Sequence, residues 1–340
     1  MNSITENLKQ LAAIDSPTGF TKNAADYVAE RLRQLGFQPK MTNKSCVVCC
    51  IGGEENPIIL SSHIDTLGGM VAEIKENGRL RLTNIGGLNP SNCETENCRI
   101  YTREGKVYDG TFQMNDPSVH VNGDLDKQER TFSAMEVVID EDVKSKEETE
   151  ALGIRNGDFV CFDPRTTVTK SGYIKSRFLD DKLSASVLLA FAEEVQKKEI
   201  SLSRKVYVFF SVYEEVGHGS CGALPEDAVE IMSVDMGCVG QGVACTERQV
   251  SICAKDSCGP YDYEVTTNLI HCAEKGGLNF AVDIYPHYGS DADAALSAGY
   301  DMKHGLIGPG VYASHGYERS HVDGAENTLK LLELYLGQQD

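Results

Sequence analysis

Two adjacent glutamates, Glu214 and Glu215, follow an apolar and β-branched run at residues 206–212. Successive side chains of an extended segment point to opposite faces, so the two carboxylates cannot hold one ion in the same way. One of them can coordinate a metal ion while its neighbour stays uncoordinated and acts as a base. A glycosidase needs two carboxylates about 5 Å or more apart across a sugar bond, and adjacent residues supply that pair poorly. The two glutamates therefore favour hydrolysis by a metal-activated water.

Imidazole and carboxylate groups recur at the ends of other strand-like segments and in one loop near the C terminus. They are His63 and Asp65 in SSHID, Asp180 and Asp181 in SRFLDD, Asp235 in SVDMG, and His315 and His321 in HGYERSH. In open α/β sheets, functional groups gather at the carboxyl ends of the strands. Imidazole and carboxylate are ligands of zinc, cobalt and manganese, so a metal site is the common explanation for these residues.

Each fragment alone also has an ordinary structural interpretation. His63 and Asp65 share one side of an extended segment, so Asp65 could fix the tautomer of a metal-binding His63. An isolated pair of this kind is more often a strand-end histidine and a helix-capping aspartate. Asp180 and Asp181 could equally begin the helix that follows them. Only the joint occurrence of such residues on five separate segments favours the metal site.

The remaining candidates have weaker signals. Asp235 could be a loop acid and His321 a solvated histidine. The segment Gly289-Ser290-Asp291 could line the site or form a plain strand-to-helix turn. Five further histidines are expected to be structural or solvated: His120, His271, His287, His304 and His315.

The elements that must position these residues alternate between helix and strand. Apolar residues at helical spacing predict two helices before Gly36, a helix in LSASVLLAFAEEVQKK and a last helix in NTLKLLELYL. Strands are predicted in VVCCIGG, PIILSSHID, KVYVFFSV, EIMSVDMG, LNFAVDIYP and HGLIGPG. This alternation predicts an α/β fold with a mixed central sheet and a parallel central portion.

The middle of the chain has a different texture. Short strand-like pieces are separated there by Gly, Asn, Asp and Pro turns, with an acidic helical stretch near residues 141–152. We therefore predict a discontinuous catalytic domain at 1–68 and 169–340 and an inserted β-rich domain, PDZ-like or a barrel, at 69–168.

Composition excludes several classes of function. The 340 residues carry a formal charge of −19, which disfavours a nucleic-acid partner. We see neither a signal-peptide pattern nor an apolar run long enough to span a membrane, so we expect a cytoplasmic protein without a membrane partner. The twelve cysteines are scattered, and we expect them to be reduced thiols; Cys46-Val-Val-Cys49 lacks a second CxxC at zinc-finger spacing.

Eight short motifs occur in a fixed order along nearly the whole chain: HIDTLGGMV, YTREGKVYDG, GIRNGDFVCFDP, LDDK, EEVGHG, SVDMG, GSDADAA and YERSH. This ordered set resembles the two-metal aminopeptidase family that includes glutamyl aminopeptidase and the tetrahedral aminopeptidases, some of whose members carry a cellulase label. The resemblance implies a zinc-peptidase-like sheet with helices on both faces. It also implies dimerisation through the inserted domain, with assembly to a dodecamer.

The resemblance further implies roles for individual residues. It implies two divalent metal ions, zinc, cobalt or manganese, bound by His63, Asp180, Glu215, Asp235 and His321, with Asp180 bridging. Glu214 would be the general base, Asp65 would support His63, and Asp181 would not be a ligand. Thr66 and His218 depart from the usual pattern of the family, which puts the substrate preference in doubt.

The expected activity is removal of N-terminal residues from peptides. A two-metal deacylase or carboxypeptidase acting on N-acyl or C-terminal amide groups is the alternative that keeps the same site. A non-catalytic oligomeric scaffold and a glycosidase are the remaining alternatives. The preferred N-terminal residue depends on a pocket that the sequence does not define.

Overall fold

The computed structural model describes residues 3–338. The chain divides into two compact units. One contains the described residues up to Thr66 together with those from Arg165 onward, and the other is Leu67–Pro164. All the residues predicted to carry chemistry belong to the first unit.

Within the described residues, the α-helices are α1 (Ser3–Ala12), α2 (Lys22–Gln34), α3 (Lys146–Ala151), α4 (Leu179–Gln196), α5 (Tyr263–Lys275), α6 (Asp291–Ser297) and α7 (Val322–Leu336). The strands are β1 (Lys40–Met41), β2 (Val47–Gly52), β3 (Ile58–His63), β4 (Gly68–Ile74), β5 (Leu80–Ile85), β6 (Asn97–Tyr101), β7 (Val107–Met114), β8 (Met135–Ile139), β9 (Phe159–Phe162), β10 (Thr167–Val168), β11 (Tyr173–Ser176), β12 (Val206–Ser211), β13 (Glu230–Val234), β14 (Gly237–Val239), β15 (Val250–Lys255), β16 (Phe280–Ile284), β17 (Lys303–Tyr312) and β18 (Glu318–His321).

A large mixed sheet forms the centre of the first unit. Its strand order is β1-β2-β12-β3-β13-β17-β18-β11-β10. In addition, β14 and β15 pair with β17, and β16 pairs with β15. The four central strands β12, β3, β13 and β17 are parallel, whereas β2 and β18 pair antiparallel to their neighbours. Every residue of β3 is buried, as expected for a strand covered on both faces.

Helices cover both faces of this sheet. Neighbouring residues of β3 point to opposite faces: the Ser61 hydroxyl donates to Asp291 of α6, and the Ser62 hydroxyl donates to Asp181 at the start of α4. Fourteen residues of α4 are buried, because this helix lies between the sheet and the helices α1 and α7. The predicted fold class, a mixed α/β sheet with helices on both faces and an inserted β-rich domain, is confirmed.

The second unit is a closed barrel with the strand order β4-β5-β8-β7-β6-β9. Phe112 and Phe162 are fully buried and pack edge to face, with ring centroids 5.6 Å apart. The acidic helix expected near 141–152 is shorter, because α3 begins at Lys146, where the Ser145 hydroxyl caps it by accepting from the Glu148 N–H.

The last helix begins earlier than predicted. NTLKLLELYL starts at Asn327, whereas α7 begins at Val322. His321 caps this helix by accepting from the Asp323 N–H through its side chain, which extends the helix by five residues. The side chain of His321 is thus engaged at the start of α7.

All twelve cysteines lie in the described part of the chain and are free thiols. Cys46 and Cys49 are buried, and Cys50, Cys221 and Cys258 are exposed. Among the described residues, no helix is both long and apolar enough to cross a membrane.

Candidate active site

The carboxyl ends of the central parallel strands bring the predicted residues together. His63 ends β3, Glu214 and Glu215 follow β12 in a short 3-10 turn, and Asp235 follows β13. Asp180 enters at the start of α4, where its dihedral angles are not yet helical. Parallel strands end at one edge of the sheet, so segments distant in sequence converge there.

His63 is buried and held in one orientation. Its Nδ1 lies 2.9 Å from the Asp65 backbone oxygen, which directs the Nε2 atom towards Asp180 Oδ1 at 3.0 Å. Glu214 Oε2 lies 3.7 Å from the same Nε2. A backbone carbonyl that accepts from Nδ1 leaves the Nε2 lone pair free for a ligand, the usual arrangement of a metal-binding histidine.

The Asp65 carboxylate does not make the hydrogen bond to His63 that the sequence suggested. Its Oδ1 is 3.6 Å from His63 Nδ1. It instead accepts from the Thr18 hydroxyl at 2.6 Å and from the backbone N–H groups of Glu214 and Glu215 at 3.2 and 3.4 Å. Asp65 therefore orients His63 through its main chain and fixes the two glutamates through its side chain.

The Asp180 carboxylate lies between two histidines. One oxygen is 3.0 Å from His63 Nε2, and the other is 3.5 Å from His315 Nε2, which also lies 3.6 Å from Glu215 Oε2. A carboxylate whose two oxygens face two different imidazoles has the geometry of a bridging ligand. The sequence predicted a structural or solvated His315, but the structure places it beside Asp180 and Glu215 in the cluster.

Glu318 holds two of these residues in place and was missed from the sequence. It is buried, and its carboxylate accepts from the His315 backbone N–H at 2.9 Å and from the Asp180 backbone N–H at 3.1 Å. Burial raises the pKa of Glu318 to about 8, and the neighbouring Asp180 charge adds to this increase.

His321, which was expected in the site, lies elsewhere. Its Nδ1 accepts from the Asp323 N–H at 3.0 Å, and its Nε2 lies 2.8 Å from the Ser171 backbone oxygen. The ring packs edge-on against Tyr173, with centroids 4.9 Å apart. Backbone groups occupy both ring nitrogens, so His321 has no lone pair left for a metal in this arrangement.

Two overlapping groups of side chains could hold metal ions, with the ligand atoms of each group within 4.8 Å of one another. They are His63, Asp180 and Glu215, and His63, Asp181 and Asp235. Asp181 also accepts from Ser62 Oγ at 2.5 Å and from the His63 N–H at 3.3 Å, which ties one of its oxygens to β3.

The cluster contains more negative charge than the protein compensates. Burial, followed by the charges of neighbouring carboxylates, raises the pKa of Glu215 and of Asp181 well above their usual range, and that of Asp235 to about 7. Hydrogen bonds from His315 and His63 outweigh burial at Asp180 and lower its pKa. Glu215 Oε1 and Asp181 Oδ1 are buried without a hydrogen-bond partner. The cluster fits divalent cations, which would supply the missing positive charge and a partner for Glu215.

Asp291 has a structural task beside the site. Its carboxylate accepts from the hydroxyls of Ser61 and Ser211 and from the Ser220 N–H. A side chain on Gly219 would place its Cβ 2.0 Å from Asp291 Oδ1, so this loop requires a glycine. Asp291 thus fixes the segment that follows the two glutamates.

A cavity of about 530 Å³ opens over the cluster, and we call it the acidic cavity. Its lining includes six carboxylate residues: Asp180, Glu214, Glu215, Asp235, Asp291 and Asp293. Cys221 and Cys258 also line it, and both are exposed. The cavity therefore combines a metal-compatible floor with a wall suited to a cationic group.

Comparisons with known proteins give a family and several relatives. A family model described as M42 glutamyl aminopeptidase matches residues 45–331. The "Putative aminopeptidase YhfE" of Bacillus subtilis is 44% identical over 333 residues, covering 97% of this chain and 96% of the relative. The lysyl aminopeptidase of Pyrococcus furiosus is 26% identical over 192 residues, covering 56% of this chain and 54% of the relative.

Solved structures share the fold. The TET1 peptidase of Pyrococcus horikoshii, described as able to assemble into a tetrahedron or a large octahedral shell, matches with a TM-score of 0.86. The match covers 99% of this chain and 100% of that one, at 21% identity. At this identity the similarity is evidence of the fold alone.

Proposed function

The chain belongs to the M42 glutamyl aminopeptidase family and is a peptide hydrolase of the aminopeptidase class, and on this premise we propose that it removes N-terminal residues with two divalent metal ions. One ion would be held by His63, Asp180 and Asp235. The second would be held by Asp180, Glu215 and His315. When bound, the ions supply an activated water and polarise the scissile carbonyl.

The observation that carries this proposal is the position of Asp180 between His63 and His315, at 3.0 and 3.5 Å. With one imidazole at each of its two oxygens, Asp180 could bridge two ions, each of which would also have a histidine ligand. We therefore propose His315, and not His321, as the fifth ligand. Zinc, cobalt and manganese all accept such a mixed donor set.

Glu214 is the proposed general base. Its side chain is 15% exposed and lines the acidic cavity, and its main chain is fixed by Asp65. It would accept the proton of the attacking water and then deliver this proton to the leaving amine. Glu215 differs because its side chain is only 4% exposed and lies 3.6 Å from His315, as expected for a ligand.

Restriction to the N terminus follows from charge. The substrate's free α-ammonium is a cation, and the acidic cavity offers carboxylates beyond the five proposed ligands, among them Asp293. An N-acetylated peptide lacks this charge and would lose the attraction. The lysyl and glutamyl names among the relatives point to different N-terminal residues, so the preferred residue must be measured.

The test is hydrolysis of aminoacyl-anilides, with free or acetylated amines, by metal-stripped protein to which zinc, cobalt or manganese is returned. We expect cleavage that requires both a metal and a free amine. Cleavage of the acetylated set alone would instead support a deacylase. Metal-loaded protein that cleaves neither set would overturn the assigned substrate class, and protein that also takes up no metal would support a scaffold.

The inserted unit, Leu67–Pro164, is the proposed dimerisation domain, and assembly to a dodecamer is proposed by analogy with a TET1 structure that is described as a dodecamer. Mass photometry should then show a particle of about twelve times the subunit mass of 37.1 kDa. Twelve free thiols support the cytoplasmic location expected from the sequence.

A further inference from the structure

A second cavity, with a volume of about 660 Å³, opens beside the turn that carries Glu214. The lining residues that matter here are Thr21, Lys22, Asn23, Lys44, Tyr213 and His218. We call it the basic cavity. No part of the site described above uses it.

Sheet topology places this cavity at the catalytic edge. β2 runs antiparallel to β12, and Val47 at the start of β2 pairs with Phe210 near the end of β12. The turn before β2, which contains Lys44, therefore lies at the same end of the sheet as Glu214. The His218 N–H donates to the Tyr213 carbonyl at 2.8 Å, so these two residues bracket the turn that contains Glu214.

The charge of this cavity is opposite to that of the protein as a whole. Among the described residues that line it, none is Asp or Glu, whereas Lys22, Lys44 and His218 are basic. The nearest acid on α2 is Asp26, which forms an ion pair with the exposed Lys22. Such a lining is unexpected in a chain with a net charge of −19.

Lys44 is fixed rather than mobile. Its Nζ donates to the carbonyls of His218 and Gly219 at 2.6 and 2.7 Å. An ammonium has three donors, so one N–H remains for a ligand. The Thr21 side chain makes no capping hydrogen bond and so leaves the first N–H groups of α2 uncapped, and Thr21, Lys22 and Asn23 all line the cavity.

We propose that the basic cavity binds a carboxylate of the peptide substrate on the leaving side of the scissile bond. This inference rests on the proposed function, because it takes Glu214 as the proton donor to the leaving amine. The leaving peptide must then pass beside Glu214, and Tyr213 and His218 flank that residue. The acidic cavity would hold the ammonium end of a short peptide and the basic cavity its carboxylate.

The carboxylate could be the C terminus of a short peptide or an acidic side chain near the cleavage site. The experiment uses peptides of two to five residues that all share the same N-terminal residue. Each is prepared as the free acid and as the C-terminal amide. A second set of amides carries Glu or Gln at the second or third position. An aminoacyl-anilide, which has no carboxylate, reports the aminopeptidase activity alone.

We expect the wild-type enzyme to cleave one free acid, or one Glu-containing amide, with about tenfold higher kcat/KM than its uncharged partner, mainly through KM. The peptide set that shows the preference identifies the source of the carboxylate. A ratio near one for every pair overturns the proposal. Failure to cleave the anilide would instead overturn the proposed function.

Variants then assign the preference to the cavity. Lys44→Gln should reduce the charged-to-uncharged ratio towards one, and Lys44→Arg should retain it. Lys40→Gln is the matched control, because Lys40 is exposed on the same hairpin but does not line the cavity. His218→Gln should also lower the ratio, and this variant tests the assignment if Lys44→Gln fails to fold. A ratio unchanged in both variants would overturn the assignment to this cavity.

Discussion

The two cavities on either side of residues 213–221 have opposite chemistry although they share one edge of one sheet. The acidic cavity has six carboxylate residues in its lining, including a buried Asp180 between two imidazoles. The basic cavity has two lysines and a histidine, with no carboxylate among its described lining residues. The net charge of the whole chain predicts the charge of neither cavity. What matters for function is where the strand ends and the neighbouring turns place each charge.

The contrast shows how one edge of the central sheet could bind both the ammonium group and the carboxylate of a short peptide. Excess carboxylate is costly in a buried place unless cations relieve it, so the acidic cavity is suited to metal ions and an ammonium group. In the basic cavity, Lys44 is held by two carbonyl oxygens, which keeps its charge available to an anion. Three predictions break or sharpen this comparison, and a fourth extends it to a pair of carboxylates outside both cavities.

The strongest test separates chemistry from metal binding inside the acidic cavity. Replacement of Glu214 by Gln removes the proposed base while keeping its size, so kcat on an anilide should fall by about 10²–10⁴-fold. Metal content, measured by elemental analysis, should remain that of the wild type. A Glu214→Gln enzyme with full metal content and normal kcat would refute the assignment.

A matched pair of histidine variants tests which imidazole belongs to the acidic cavity. His315→Ala should weaken metal binding by more than about tenfold and reduce activity in parallel, because it removes a proposed ligand. His321→Ala should keep the metal stoichiometry but lower the free energy of unfolding by about 1–2 kcal/mol, because it removes the cap of α7. Isothermal titration and thermal melts of both variants measure this. The reverse pattern would support His321, the ligand expected from the sequence.

Glu318→Gln should have a smaller effect on the same cavity. The amide keeps one acceptor oxygen, but its NH₂ group would face either the His315 or the Asp180 backbone N–H. We expect metal affinity to fall by about tenfold, as with other residues that orient ligands. Titration of the metal into metal-free protein, followed through the recovery of activity, measures this affinity. Unchanged affinity would reduce Glu318 to a packing role.

The smallest effect concerns Glu194 and Glu333, two neighbouring carboxylates outside both cavities. Burial, and then the charge of Glu333, raise the pKa of Glu194 to about 7. A folded-state pKa above the unfolded value of about 4.3 means that the folded protein binds the extra proton, so stability falls as pH rises from about 4.3 to 7.

Glu194→Gln should remove this pH dependence. Because Glu194 is partly exposed, we expect a gain of only about 1–2 kcal/mol at pH 8 and little change at pH 4. Thermal melts across this pH range measure the difference. A variant with the same pH profile as the wild type would show that the pair is relieved by solvent and not by a proton.

The sequence predicted the architecture and most of the strand-end groups, because periodicity and parallel topology decide where strands end. His63, Asp180, Glu214, Glu215 and Asp235 all converge as expected. The choice between His315 and His321 could not be made in this way, because the two lie six residues apart in one loop-and-strand segment.

Helix capping distinguishes these two histidines once the start of α7 is known. His321 stands directly before this helix and caps it, whereas His315 lies in a turn and has a φ of 63°. The basic cavity was beyond any such pattern. It is assembled from three separate segments, and only one of them carries a motif, EEVGHG, which contains His218.

The exposed cysteines of the acidic cavity have a practical consequence for chemical labelling. Burial raises the pKa of Cys245 and of Cys253 to about 12, so their reactive thiolates are scarce at neutral pH. Maleimide dyes should therefore reach the exposed Cys50, Cys221 and Cys258 first, and the last two lie in the cavity lining. A fluorophore attached through native thiols would obstruct the substrate path, so labelled preparations need Cys221 and Cys258 replaced beforehand.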